Sequence, residues 1–185
     1  MTFSDRIKLV DMDASHLDLV LAWRNQKHIR SVMYSEHVIS MEHHKNWFQK
    51  IHNDKSCIVK VFYMDGVPMG VVNFTKIDHE NSKCEWGFYI GNPKAPKGAG
   101  TIMGYLALNF IFEELKIRKL SAEIIGINEQ SVHYHTKLGF VTEGTLKDHI
   151  YKDDSLTDIV LMALFDSEWS RQKVGIHKRI EGMIS

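Results

Sequence analysis

Between Gly100 and Lys116 the sequence has helical spacing but almost no polar face. Ile102, Leu106 and Phe110 form one apolar row, and Met103, Ala107, Ile111 and Leu115 form another. Thr101, Asn109 and Glu113 leave a narrow polar stripe between them. A helix apolar on nearly every side needs cover from a sheet, so the rest of the chain has to supply strands.

The pattern of the remaining segments supplies them. Residues 6–12 read as a first strand, and Asp13 N-caps a helix with Leu17, Val20 and Leu21 on one face. A second helical stretch follows, and a third spans about residues 41–51. Ile58–Met64 and residues 67–77 form a hairpin around Asp65-Gly66, with Pro68 at the start of its second strand. Lys83–Ile90 and residues 120–125 are further strands, with a short helix over 129–138. Strands over about 140–151 and 157–165 pair around the turn Lys152-Asp153-Asp154-Ser155. From Asp166 a last helix packs back through Trp169, Ile176, Ile180 and Met183, although Gly175 interrupts it. The chain has 185 residues with no linker or internal repeat, which predicts one α/β domain over residues 1–185 with helices on both faces of a single sheet.

Charge and cysteine content narrow the function classes. Lys plus Arg equal 23, as do Asp plus Glu, so no basic surplus exists to neutralise nucleic-acid phosphates. Residues 1–6 carry charges where a signal peptide needs an apolar stretch, and the apolar run over residues 159–165 is too short to span a bilayer. The expectation is a cytoplasmic protein with no membrane partner. Cys57 and Cys84 lack disulfide or metal spacing and read as small core residues. His43, His44 and His52 have no carboxylate or thiol completing a tetrahedral set, so no metal is expected.

Two motifs carry chemistry. Lys97-Gly98-Ala99-Gly100-Thr101 lies between a strand and the apolar helix, where glycines admit a close ligand and free helix amides suit a pyrophosphate. It lacks the Lys-Ser/Thr of a P-loop and the third glycine of a dinucleotide fingerprint. Downstream come Asn128-Glu129-Gln130-Ser131, His133-Tyr134-His135 and Lys137-Leu138-Gly139-Phe140. Together these resemble the GCN5-related N-acetyltransferase (GNAT) superfamily over residues 83–165. The resemblance implies a mixed, mostly antiparallel twisted sheet of about seven strands, splayed into a V between strands 4 and 5. Acetyl-CoA would be the cosubstrate, with pantetheine against Phe88, Tyr89 and Ile90 and pyrophosphate on the amides of Lys97, Gly98, Ala99, Gly100 and Thr101. Asn128, Ser131 and Lys137 would complete that site. Where the family usually has Arg or Gln, three residues before the first glycine, this chain has Ala95, which removes a side-chain contact and leaves the backbone cradle.

Acyl transfer needs a base for the amine, donors for the oxyanion and a proton for the departing thiolate. The family's usual acid position reads as His135 here, and an ordinary histidine keeps a protonated fraction near neutral pH. Tyr134 is adjacent, but a helix turns about 100° per residue, so the two are not expected both to face the sulfur, and His135 is the candidate acid. Glu123 is the candidate base, with Glu85 in reserve, and a backbone N–H of the strand over residues 85–90 is the candidate oxyanion donor.

The N-terminal half, with Trp23-Arg24-Asn25, Met33-Tyr34, His44 and Trp47-Phe48, plus Asn73-Phe74-Thr75-Lys76, is similar to the acetyltransferases of pseudaminic acid biosynthesis. That similarity implies a UDP-linked 4-amino-4,6-dideoxy sugar as acceptor. Arg24, Lys76 and His44 would grip its diphosphate, Tyr34 or Phe48 would stack on uracil, and Met33, Thr75 and Glu85 would complete the pocket. Two alternatives stay open: a ribosomal-protein or other peptide N-acetyltransferase, and a noncatalytic acyl-CoA-binding sensor. A homodimer is compatible with any of these.

Overall fold

A computed structural model describes residues 6–152 and 154–184. One seven-stranded sheet organises the chain, in the spatial order β1-β2-β3-β4-β5-β7-β6. Its strands are β1 (Ile7–Asp11), β2 (Ile58–Met64), β3 (Val67–Asp78), β4 (Lys83–Ile90), β5 (Lys119–Ile125), β6 (Val141–Lys152) and β7 (Ser155–Phe165). Neighbours are antiparallel except β4 and β5, which run parallel. The Asp65-Gly66 turn closes β2 and β3, both residues adopting positive φ as such a turn requires. Pro68 is accommodated near a bulge opposite Phe62 and Tyr63. Of the turn between β6 and β7, Asp153 lies outside the described residues.

Helices cover both faces, and each makes its own core. On one face lie α4 (Ala99–Asn109), α5 (Glu129–Lys137) and α6 (Asp166–Ile184). There Ile102, Met103, Leu108, Leu120, Leu138 and Trp169 are almost completely buried. On the other face, α1 (Leu17–Arg24), α2 (Lys27–Arg30) and α3 (Met41–His52) pack Val20, Trp23 and Ile29 onto Val59, Val61 and Val71. Asp13 caps the short 3-10 turn Ala14–His16 that leads into α1, accepting from the Ser15 amide.

The apolar helix departs from a uniform α-helix at its end. After Asn109 it widens into a π turn over Phe110–Glu114, closed by the Leu115 amide on the Phe110 carbonyl. Its polar stripe has a use, because Asn109 Oδ1 accepts the Trp169 indole N–H at 3.2 Å and so ties α4 to α6. Helix α6 runs through Gly175, and Trp169, Ile176 and Ile180 are buried as expected, whereas Met183 is half exposed. Cys84 is core, but Cys57 is half-buried with its thiol donating to Asp54. Among the described residues no helix is long and apolar enough to cross a membrane.

Leu120, fully buried where β5 meets β4, anchors the larger core. Leu120→Ala is expected to cost about 2–5 kcal/mol of unfolding free energy by loss of transfer energy and creation of a cavity. Denaturant unfolding at neutral pH checks this.

Candidate functional site

The sheet opens between β4 and β5. These strands share three register positions, Lys83 with Lys119, Cys84 with Leu120 and Glu85 with Ser121, whereas β5 stays paired with β7 from Lys119 to Ile125. Beyond Glu85 the facing edge of β4 has no strand beside it. Such backbone groups need partners, so an extended ligand that adds main-chain hydrogen bonds suits the gap. A cavity of about 960 Å³ occupies this parting. Gly100, Asn128, Ser131, Tyr134 and His135 line it from one face of the sheet, and Arg24, Met33, Tyr34, His44 and Trp47 from the other.

At the first end, Gly98 precedes α4 at φ +95°, a left-handed conformation that a side chain would strain. The Ala99 amide bonds Pro96 O and the Ile102 amide bonds Gly98 O, while the Gly100 and Thr101 amides find no backbone acceptor among the described residues. Two free amides at the positive end of a helix fit a phosphate. The other residues predicted there divide. Ala99 is buried in the core, Thr101 is half-buried, and Lys97 and Lys137 are exposed and off the cavity wall. Asn128 caps α5 by accepting from the Ser131 amide at 3.1 Å. Phe88, Tyr89 and Ile90 line the cavity as predicted.

Five aromatic rings, two of them from β4, pack together beyond the last shared register position. Phe88 lies 5.0 Å from Tyr134 and 5.5 Å from His135, and Trp86 stacks on Phe140 at 5.5 Å and meets His135 edge-on. Tyr134 and His135 both border the cavity, because with Ser131 they stand at i, i+3 and i+4 on one face of α5, and the 100° step between them does not keep them apart. The Tyr134 hydroxyl is committed to Gly100 O at 2.7 Å. His135 Nδ1 donates to Ser131 O at 2.7 Å, which leaves Nε2 as a bare lone pair in the neutral ring. Burial pushes the His135 pKa down to about 4, only partly offset by that bond. The protonated fraction on which a simple acid role would depend is therefore absent near neutral pH.

At the second end, buried polar atoms lack partners. Arg24 and His44 both line the cavity, and Arg24 Nη1 and His44 Nε2 are buried atoms that make no hydrogen bond among the described residues; the Trp86 indole N–H is buried in the same condition. Arg24 Nη2 is used on Ser35 O at 3.2 Å, and burial lowers the arginine's pKa. His44, 3% exposed, is also shifted down by burial, with the Leu17 backbone opposing that shift. A histidine held neutral brings no charge to a phosphate, unlike the grip expected of it. His43 and His52, its neighbours on α3, are exposed. Phe48 is not on the cavity wall: it packs into the smaller core and stacks on His52, while Trp47, stacked on His44 at 5.0 Å, takes the lining position.

The acids at this end are already engaged. The Tyr34 hydroxyl donates to Glu123 Oε2 at 2.6 Å, and desolvation together with that contact holds the phenol above its ordinary pKa. Lys76 bonds Glu85 Oε1 at 2.8 Å from a bulge where its own φ is +51°, and Thr75 lies beside them on the wall. A non-glycine residue at positive φ costs roughly 1–3 kcal/mol and persists where its surroundings fix it. Sequence reasoning missed Trp86, Trp47, Asn73 and Gly87 on the wall. Strand alternation with Phe88 was a usable signal for Trp86. Among the described residues no group of three or more His, Cys, Asp or Glu side chains is arranged to hold a metal ion.

Comparison with known proteins agrees with this geometry. A family model described as Acetyltransferase (GNAT) domain matches residues 6–141. The chain is 27% identical over 138 residues to the acetyltransferase PseH of Campylobacter jejuni, covering 75% of this chain and 85% of that one. It is 24% identical to the spermidine N(1)-acetyltransferase of Escherichia coli K12, covering 91% of each. In fold it superposes on spermidine N-acetyltransferase from Vibrio cholerae in complex with CoA and spermine with a TM-score of 0.84, at 20% identity over 90% of this chain and 99% of that one.

The low His135 pKa has a consequence for stability. The ring titrates near its ordinary 6.5 when unfolded and near 4 when folded, so between those values the unfolded chain binds more protons. Its contribution is complete above pH 6.5 and is lost as pH falls towards 4, by about 3 kcal/mol in all. Urea unfolding from pH 7 to 4.5 should show this decline, and His135→Gln should flatten it.

Proposed function

This chain belongs to the acetyltransferase (GNAT) domain family, and from that premise we propose that it moves acetyl from acetyl-CoA to the 4-amino group of a UDP-linked 4-amino-4,6-dideoxy sugar, by direct attack in a ternary complex. The observation that carries the sugar assignment is the pair of unpartnered buried groups at the second end of the slot. Arg24 is a cation on the cavity wall whose Nη1 has no partner, which an anion such as a diphosphate would supply, and His44 Nε2 beside the same cavity is likewise unpartnered and open to a sugar hydroxyl. The similarity to PseH over 75% of the chain supports the same reading. Tyr34, half exposed at the rim, and Trp47 offer rings to a uracil base.

In this reading the first end of the slot holds acetyl-CoA, with the Gly100 and Thr101 amides on its phosphates and the open edge of β4 along pantetheine. Acetyl-CoA supplies an activated acyl group on sulfur. Glu123 takes the proton of the incoming ammonium, directly or through a water, with Tyr34 orienting the carboxylate. His135 starts neutral, and its Nε2 takes the proton that nitrogen sheds as the C–N bond forms. A buried imidazolium of pKa about 4 gives that proton up readily, so His135 returns it to sulfur as the C–S bond breaks. The residue serves as a relay that rests unprotonated.

Release of CoA thiol, followed with UDP-amino-sugars, peptides and polyamines as acceptors, tests the assignment. Turnover with the UDP-amino-sugar is expected; turnover confined to peptides or polyamines would replace it, and acetyl-CoA binding without turnover of any acceptor would leave a sensor. Arg24→Ala should raise the sugar-nucleotide KM at least tenfold and leave acetyl-CoA affinity unchanged by calorimetry. His135→Phe should lower kcat about 10²–10⁴-fold, as expected for a proton-transfer group, with the same acetyl-CoA dissociation constant.

A further inference from the structure

The segment over residues 31–39, which connects α2 to α3, crosses the second end of the slot without regular structure of its own. Side chains hold its carbonyls instead. Arg24 donates to Ser35 O, Arg30 Nη1 to Glu36 O, and Asn25 both donates to Ile39 O and accepts from Ile39 N. All of these come from the half of the sheet that carries the segment. Three bonds link it to the opposite half, across the parting: the Tyr34 hydroxyl on Glu123, and Lys152 Nζ, which donates to Met33 O at 3.0 Å and to the Glu36 carboxylate.

Lys152 is unlike the other lysines that form ion pairs here. It is the last residue of β6, at the tip of the longest hairpin, and its side chain is 3% exposed, whereas the others range from 11% to 77%. Burying an ammonium is expensive unless it is paired and fully bonded, and both partners that compensate it lie on the crossing segment. We propose that Lys152 is a positioning residue for the acetyl acceptor: it latches the 31–39 strap onto the β6–β7 hairpin and so holds Met33 and Tyr34 against the acceptor end of the slot. The inference rests on the acceptor binding at that end, and not on the acceptor being a nucleotide sugar.

Loss of the ammonium frees the Met33 carbonyl and leaves Tyr34 to hold the strap to the far half by one phenol. Acceptor binding then has to include the ordering of that segment, while the coenzyme end, on α4 and α5, keeps its own supports.

Two measurements on the whole protein test this. Hydrogen exchange without ligands should show amides 31–39 exchanging at least tenfold faster in Lys152→Met than in the parent, with α4 and β4 unchanged and with most of the protection restored in Lys152→Arg. Steady-state kinetics, with whichever amine of the panel is acetylated, should show the acceptor KM rising about tenfold while the acetyl-CoA KM stays within twofold, again with recovery in Lys152→Arg. Unchanged exchange over 31–39, or equal rises in both KM values, would overturn the proposal. Should Lys152→Met not fold, Glu36→Gln, at a 40% exposed side chain, gives the same reading in the same direction. Because the exchange arm needs no acceptor, failure of the sugar assignment and failure of the latch give different results.

Discussion

Three shared register positions between two parallel strands decide what this molecule can do. Up to Glu85 and Ser121 the sheet is continuous, and beyond them β4 leaves β5 with an open main-chain edge inside the protein. An unsatisfied edge at that depth is costly, and an edge in solvent invites another strand. Here it borders a cavity that reaches both faces of the sheet, so a ligand with amide groups of its own can take the missing place. The aromatic packing of Trp86, Phe88, Tyr134, His135 and Phe140 fills the space below and keeps the strands from closing. Everything else in the site is arranged relative to that gap.

The proton inventory of the gap follows from burial. Of the histidines on its walls, His135 gives its Nδ1–H to the Ser131 carbonyl, and His44 and His135 both have pKa values lowered by desolvation. His135 therefore presents a lone pair, and neither of the two brings a charge near neutral pH. A site built this way accepts protons from a reacting nitrogen or hydrogen bonds from hydroxyls, and leaves anion binding to Arg24 and to helix amides. Positive charge is confined to a group that cannot lose it, and the titrating groups serve transfer.

Family membership fixes the acetyl-transfer chemistry and leaves the acceptor open. In the proposed reading the acceptor end is built from α1, the 31–39 strap and one wall of α3, joined to β5 through Glu123 and to the β6–β7 hairpin through Lys152. Bonds of 2.6 Å and 3.0 Å across the parting tie the 31–39 strap to the opposite half of the sheet. In the proposed reading, selectivity depends on how firmly the strap is held as well as on which side chains it carries.

Much of the fold was legible in residue order. The Asp65-Gly66 hairpin, the limits of Lys83–Ile90, the Asp13 cap and the buried helix beyond Gly100 all follow from local chemistry: turn residues, period-two and period-3.6 patterns, and capping side chains. The glycine turn and the Asn128 to Phe140 motif likewise pointed to a coenzyme site, because backbone amides at a helix start are specified locally. What the sequence could not specify was anything set by burial or by residues far apart in the chain. Phe48 and Trp47 are adjacent, and only the packing of α3 decided which one faces the cavity. His135 reads as an ordinary histidine until its aromatic surroundings lower its pKa. Lys152 and Met33 are separated by 119 positions, and no local pattern marks their contact. Sequence alone determined the elements and the coenzyme turn, since those depend on neighbours in the chain; tertiary structure decided protonation, the acceptor wall and its latch, since desolvation and long-range contacts exist only once the two halves are packed together.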